Sequence, residues 1–216
     1  MKQEITGHLS TYAVQNAQLI LTGLEELNRT WVMHGVPQTH TYGRIPGEEE
    51  IRLWSVPRTT GEFLKFTVAL KGARTILEVG TSAGYSAIWL ALGAIETMGQ
   101  VYTVDIFEPK MELARKHIED AELNDWITIL PGEAREITAD WHKEIDLLFL
   151  DADKENYLEY FRNLLPHLKS GGLIVADNAI DYGYLMTDYI NEVTHSDEVE
   201  SYLLNVDNGL MLTMKK

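Results

Sequence analysis

The chain has 216 residues, of which 33 are acidic and 18 basic, giving a net charge of −15, and 45% are apolar. Such a length carries a core without disulfides or metals, and such a composition excludes disorder, collagen-like repeats and coiled coil. The chain has no cysteine, which excludes disulfides, zinc–thiolate sites and thiol nucleophiles, and its acidity repels phosphate backbones, so nucleic acid is disfavoured as a partner.

No apolar run reaches the ~18 residues that would cross a bilayer, so no membrane partner is expected. The opening Met1–His8 lacks the basic-then-apolar form of a signal peptide. A cytoplasmic protein is the expectation.

Residues 1–60 read as a helical N-terminal extension and not as an independent domain. Tyr12–Leu27 has an amphipathic period, Gly35–Glu50 is rich in turn residues, and Thr59–Leu70 predicts a second helix. Within Val32–Arg44, His34, His40, Tyr42 and Arg44 are candidates for a lid over a ligand. An ordered surface loop or a dimer contact is the plainer reading of each. The five Trp residues, at 31, 54, 89, 126 and 141, read as packing anchors.

Residues 61–216 read as one α/β domain. Short runs rich in Val, Ile and Leu alternate with longer segments of helical period, the signature of βαβ units around a parallel sheet. Strands are predicted at Thr75–Gly80, Val101–Ile106, Ile127–Pro131, Ile145–Asp151 and Gly172–Asn178, the fourth apolar enough to be central. Helices are predicted at Gly84–Thr97, Pro109–Leu123, Glu133–Trp141, Asn156–Leu168 and Tyr184–Thr194, with Gly171-Gly172 following a helix end. Val199–Asn205 and Leu210–Lys215 are strand-like. The Asn-Gly pair in Val206-Asp207-Asn208-Gly209 between them predicts a hairpin, so an antiparallel pair should finish the sheet.

Ligands of an open parallel sheet bind beyond the carboxyl ends of its strands. The first strand ends in Glu78-Val79-Gly80-Thr81-Ser82-Ala83-Gly84-Tyr85-Ser86, whose two glycines permit a tight turn and aim the N–H groups of the next helix at a ligand. The spacing is neither that of a dinucleotide fingerprint nor that of a Walker loop. The second strand ends at Asp105, where a carboxylate accepts both hydrogen bonds of a ribose diol. Together they predict an adenosine-bearing ligand. The fourth and fifth strands end in Asp151-Ala152-Asp153-Lys154 and Asp177-Asn178. Asp151, Asp177 and Asn178 are hard oxygen donors suited to a divalent cation, Mg²⁺ first, with Ca²⁺ or Mn²⁺ as alternatives. Asp153 reads as solvated.

The turn Gly80 to Ser86, Val104-Asp105, the tetrad Asp151-Ala152-Asp153-Lys154 and Gly171-Gly172-Leu173-Ile174-Val175-Ala176-Asp177-Asn178, in this order, resemble the cation-dependent S-adenosylmethionine O-methyltransferases of the caffeoyl-CoA and catechol type. The resemblance runs from about Gly61 onward. It implies a Rossmann-like, doubly wound seven-stranded sheet with an antiparallel last strand, and a homodimer acting on a small-molecule hydroxyl acceptor. It also implies roles: Glu78, Gly80, Tyr85 and Ser86 around the methionine part of the cofactor, Asp105 on the ribose, Ala134 by the adenine, and Val56 lending a backbone contact. Asp151, counted with the cofactor as well, would hold the cation with Asp177 and Asn178, and Lys154 would be the general base.

The sequence departs from relatives acting on caffeoyl-CoA after Asn178. Ala179-Ile180-Asp181-Tyr182 precede Gly183 where those relatives carry a Trp. Two alternatives are a methyltransferase of 5-hydroxyuridine in tRNA and a non-catalytic adenosine-ligand binding protein of the same fold. The net charge speaks against the first, the intact Asp151, Lys154, Asp177 and Asn178 against the second.

Overall fold

A computed structural model of the chain describes residues 2–34 and 53–216, the side chains of 2–13 and 31–34 excepted. The candidate lid residues His40, Tyr42 and Arg44, and the side chains of His34 and Trp31, lie outside what is described. Five apolar runs form parallel strands: β1 (Thr75–Val79), β2 (Gln100–Asp105), β3 (Ile127–Pro131), β4 (Ile145–Leu150) and β5 (Leu168–Ala176). They are joined by a hairpin of β6 (Val199–Leu204) and β7 (Leu210–Lys215). The strand order is β3-β2-β1-β4-β5-β7-β6, and β7 runs antiparallel to both of its neighbours. β4 takes the middle place. Its residues other than Asp146 are fully buried, as an apolar strand covered on both faces must be.

Side-chain alternation along the strands divides the core into two layers. Ile76, Leu147, Phe149 and Val175 face a layer with α2 (Arg58–Lys71) and α3 (Tyr85–Thr97), while Leu77, Val79, Leu148, Leu150 and Ile174 face α6 (Tyr157–Leu164) and α7 (Thr187–His195). The remaining helices are α1 (Lys2–His34), α4 (Glu108–Asp120) and α5 (Ala134–Ala139). α1 runs well beyond the predicted Tyr12–Leu27 and buries Ala17, Leu21 and Leu24 in the α2–α3 layer. The N-terminal helix therefore shares its core with the sheet. No helix among the described residues is long and apolar enough to cross a membrane.

Two boundaries and one packing role differ from the sequence expectation. α6 ends at Leu164, because Pro166 cannot donate to the preceding turn, and a short 3₁₀ turn, Leu165–His167, leads directly into β5. β5 thus begins at Leu168, and Gly171-Gly172 lie within the strand and not after a helix. They sit in an irregularity between the pairs Ile145↔Leu168 and Leu147↔Leu173, where Gly171 adopts a φ of +73°, a conformation glycine accepts without steric cost. Third, Trp54 is no packing anchor: it is 73% exposed, whereas Trp89 and Trp141 are buried.

Candidate active site

The carboxyl ends of β1, β2, β4 and β5 open into a cavity of about 670 Å³. Of the residues singled out in the sequence, Val56, Gly80, Asp105, Ala134, Asp151, Lys154, Asp177 and Asn178 line it. Gly80 is there by necessity: its φ is +110°, and a Cβ would lie 2.1 Å from the Asp151 carbonyl oxygen. The absence of a side chain is what lets the ends of β1 and β4 come together.

At one end Asp105 closes the turn that follows β1. Its Oδ2 accepts from the Ser82 N–H at 2.7 Å and its Oδ1 from the Phe107 N–H at 2.9 Å. A carboxylate offers about four lone-pair positions, so acceptor capacity remains on both oxygens for a diol. Ser82 Oγ donates to the Leu53 carbonyl at 2.6 Å, which ties the segment of Trp54, Ser55 and Val56 to the cavity wall.

Glu78, Tyr85 and Ser86 do not line the cavity. Alternation along β1 turns Glu78 onto the α3 face, where it is fully buried beneath the turn. Its Oε2 accepts from Thr103 Oγ1, its cross-strand partner on β2, and Thr103 Oγ1 lies 2.6 Å from Thr81 Oγ1. Among the described residues Glu78 Oε1 has no hydrogen-bond partner. Desolvation pushes this carboxyl up to about 8, opposed by the hydroxyls of Ser86 and Thr103. The Tyr85 ring is buried edge-on to Trp89, and its hydroxyl donates to Glu25 Oε1 of α1 at 2.7 Å. Its side chain thus joins α1 to α3, leaving its backbone, at the first position of α3, as the part nearest the glycine turn.

At the other end stand the two acidic strand termini. Lys154 Nζ donates to Asp151 Oδ1, the Ala152 carbonyl and Tyr157 Oη, each at 2.9 Å, which engages all three of its hydrogens. Tyr157 Oη passes its own hydrogen to the Leu150 carbonyl at 3.0 Å. Asp177 is 2% exposed, and among the described residues its Oδ1 has no partner. Burial, and then the neighbouring charge of Asp151, raise its carboxyl to about 7. Asn178 holds a φ of +66°, a conformation rare outside glycine that Asn tolerates better than most and that recurs where a side chain must be aimed at a ligand. Among the described residues no three His, Cys, Asp or Glu side chains gather as a metal cluster; the oxygen donors here are two carboxylates and an amide. Asp153 is exposed, as read from the sequence, yet it lines the rim and accepts from Tyr160 Oη at 2.6 Å.

Other lining residues had no clear mark in the sequence: Trp54, Tyr182, Leu185 and Asn208. Lys110 lies over the Trp54 ring, 5.3 Å from its centroid. Asn208 belongs to the predicted hairpin turn, so its signal was structural and its approach to the site was not legible. That turn docks against the segment after Asn178: the Gly209 carbonyl accepts from the Ala179 N–H at 2.9 Å, and the Asn208 carbonyl from the Ile180 and Asp181 N–H groups at 3.0 and 3.2 Å.

The chain is similar to known proteins in sequence and in fold. A catechol O-methyltransferase of Niastella koreensis is 38% identical over 143 residues, 64% of each chain. A caffeoyl-CoA O-methyltransferase of Populus kitakamiensis is 35% identical over 160 residues, 72% of this chain and 65% of that one. The match thus spans just under two thirds of the length of these curated relatives. Among solved structures, an O-methyltransferase from Bacillus cereus in complex with SAH superposes with a TM-score of 0.71 at 27% identity, covering 91% of this chain and 90% of that one. Residues 46–216 match the profile of the O-methyltransferase family, and the chain belongs to that family.

Proposed function

We propose that the protein transfers a methyl group from S-adenosylmethionine to a hydroxyl of a small phenol- or enol-type acceptor, with the help of a divalent cation, Mg²⁺ first. The observation that carries this reading is the pairing of Asp151 with the buried, unpartnered Asp177 Oδ1 in the cavity that also holds Asp105 and Gly80. A buried carboxylate oxygen without a donor is costly. The repulsion from Asp151 that raises the Asp177 carboxyl is what a cation between them would relieve, so the donor set of Asp151, Asp177 and Asn178 fits one. The names of the relatives and the SAH of the Bacillus cereus structure point the same way.

When bound, the cofactor supplies an electrophilic methyl group, and the cation lowers the pKa of a hydroxyl it touches. The chain does the rest. Asp105 would accept the ribose hydroxyls, and the turn from Gly80 would bring the backbone close to the cofactor's methionine part. Lys154 in its neutral form would take up the acceptor's hydroxyl proton at Nζ. It would thereby become the ammonium group that Asp151 Oδ1, the Ala152 carbonyl and Tyr157 Oη are placed to hold. Holding both reactants in one cavity supplies much of the rate.

The test is transfer of labelled methyl to a panel of catechols, hydroxycinnamates, CoA esters and unmodified tRNA, with Mg²⁺ and with EDTA. Mg²⁺-dependent labelling of a small hydroxyl acceptor is expected. Cofactor binding without transfer to any hydroxyl would overturn the activity, and a full rate in EDTA would overturn the role of the cation.

A further inference from the structure

The turn that leads from β1 into α3 is held from two sides. Within the α/β domain, the Ala83 carbonyl lies 2.9 Å from His117 Nδ1 of α4, and Thr81 Oγ1 lies 2.6 Å from Thr103 Oγ1 of β2. Two further contacts reach the N-terminal region. Ser82 Oγ donates to the Leu53 carbonyl at 2.6 Å, and Tyr85 Oη donates to Glu25 Oε1 of α1 at 2.7 Å. Ser82 also gives its N–H to Asp105 Oδ2 at 2.7 Å. One residue thus links Leu53 to the carboxylate that the ribose reading needs.

The Tyr85 contact bears on how α3 starts. Gly84 precedes Tyr85 with a φ of +86° and offers no side chain to cap the helix. The first N–H groups of a helix have no acceptor within it, and they are what a helix start offers to an anionic group. Where they point depends on how the first turn is held. The Tyr85 ring is 2% exposed and edge-on to Trp89, and among the described residues its hydroxyl has no acceptor besides Glu25. Leaving that buried hydroxyl without an acceptor is costly.

Glu25 is itself fixed from α2. Arg58 Nη1 reaches the same Oε1 at 3.1 Å, while Nη2 donates to Gln18 Oε1 at 3.1 Å and Nε to Glu62 Oε1 at 2.9 Å. The guanidinium also stands 5.4 Å from the centroid of the Trp89 ring. The side chains of Arg58 and Glu25 are 43% and 34% exposed, so their ion pair by itself adds little stability. What it does is aim the Glu25 carboxylate at Tyr85.

Resting on the reading that this turn takes the S-adenosyl cofactor, we propose that Glu25 and Tyr85 are positioning residues that couple α1 to the cofactor site. The docked α1 holds the first turn of α3 for the methionine part of the cofactor, and a bound cofactor holds α1 in place by the same amount, since such coupling is reciprocal. Residues 1–60 then contribute to cofactor affinity from a helix that does not line the cavity.

Amide exchange of the intact chain, followed by mass spectrometry with and without saturating S-adenosylhomocysteine, tests the coupling. Exchange over residues 17–25 should slow about fivefold or more in the complex, and Tyr85→Phe, which keeps the ring, should lose that slowing while still binding the ligand. By calorimetry, Tyr85→Phe and Glu25→Ala should each weaken S-adenosylhomocysteine binding about fivefold or more. The double variant should be no weaker than either single one, because both remove one contact. Glu25→Gln, which retains an acceptor oxygen, should recover most of the loss. Arg29→Ala, which breaks only an exposed pair with Glu26 on α1, should leave affinity and exchange unchanged. Exchange over residues 17–25 indifferent to the ligand in the parent would overturn the inference without any variant. So would parent-like affinity in both Tyr85→Phe and Glu25→Ala, or additive losses in the double variant; in each case binding by the parent leaves the cofactor reading standing. No binding by the parent would overturn that reading, and this inference with it.

Discussion

Asp207 Oδ2 accepts two hydrogen bonds from Thr60, one from its N–H at 3.1 Å and one from its hydroxyl at 2.8 Å, across 147 positions of sequence. The first turn of α2 has no cap of its own: Pro57 precedes it and no acidic residue lies within it. A carboxylate from the β6–β7 turn does the capping. Asp207→Ala should cost about 1 kcal/mol of stability, read from the urea midpoint. Asp207→Asn should recover the hydrogen bonds but not the charge–dipole attraction. A midpoint equal to the parent's in the alanine variant would show that α2 starts without help.

Gly80→Ala should be severe. The new Cβ would meet the Asp151 carbonyl at 2.1 Å in a backbone that already has a φ of +110°, so the ends of β1 and β4 must part, at a cost of roughly 2 kcal/mol or more. Since Asp151 moves with that end of β4, cofactor affinity should fall with the melting temperature. Gly23→Ala is the matched control: nothing lies within 4 Å of its added Cβ, and in a helix the exchange should stabilise by about 0.5–1 kcal/mol. If both variants melted alike, close approach would not be what Gly80 provides.

The pH dependence of stability should carry the mark of Glu78. A glutamate in the unfolded chain titrates near about 4.3, while burial holds the folded one up at about 8. Between those values the folded protein keeps a proton that the unfolded chain has released, so stability falls as pH rises. The contribution is whole below about pH 4 and gone above about pH 8. Glu78→Gln cannot ionise, so its advantage over the parent should grow from pH 5 to about 8 and then level off in denaturant titrations. A constant difference between the two proteins would show that Glu78 does not change its protonation there.

Lys154→Ala should lower turnover by about 10²- to 10⁴-fold while changing acceptor affinity less, as for a group acting in the transition state. Lys154→Arg should not restore the rate, because a guanidinium does not give up its proton. Single-turnover measurements at saturating acceptor separate these effects. Restoration by arginine would make Lys154 a charge and not a base.

The parallel strands were legible because a strand covered on both faces must be an apolar run, as Ile145–Leu150 is. The strand-end acids were legible because such a sheet places ligands there. What escaped reading depends on partners remote in sequence. Nothing near Tyr85 announces that its hydroxyl reaches Glu25, and nothing near Asp207 announces Thr60. Trp54 is of the residue type that usually packs inside, yet it stands exposed at the cavity mouth. The start of β5 was misplaced because glycines that end a helix and glycines that bend a strand look alike until the partner strand shows the register.

The place of β7 between β5 and β6 has a consequence for the order of assembly. β6 precedes β7 in the chain but meets the sheet only through it. As the polypeptide leaves the ribosome, β6 emerges with no strand to join and must wait for Leu210–Lys215. The turn carrying Asp207 and Asn208 waits with it, and so do the capping of α2 and one wall of the cavity. A chain truncated before Leu210 should therefore keep the central parallel strands and yet be open to proteases along β6. Its cavity would be completed only once β7 has paired with β5 and brought β6 with it.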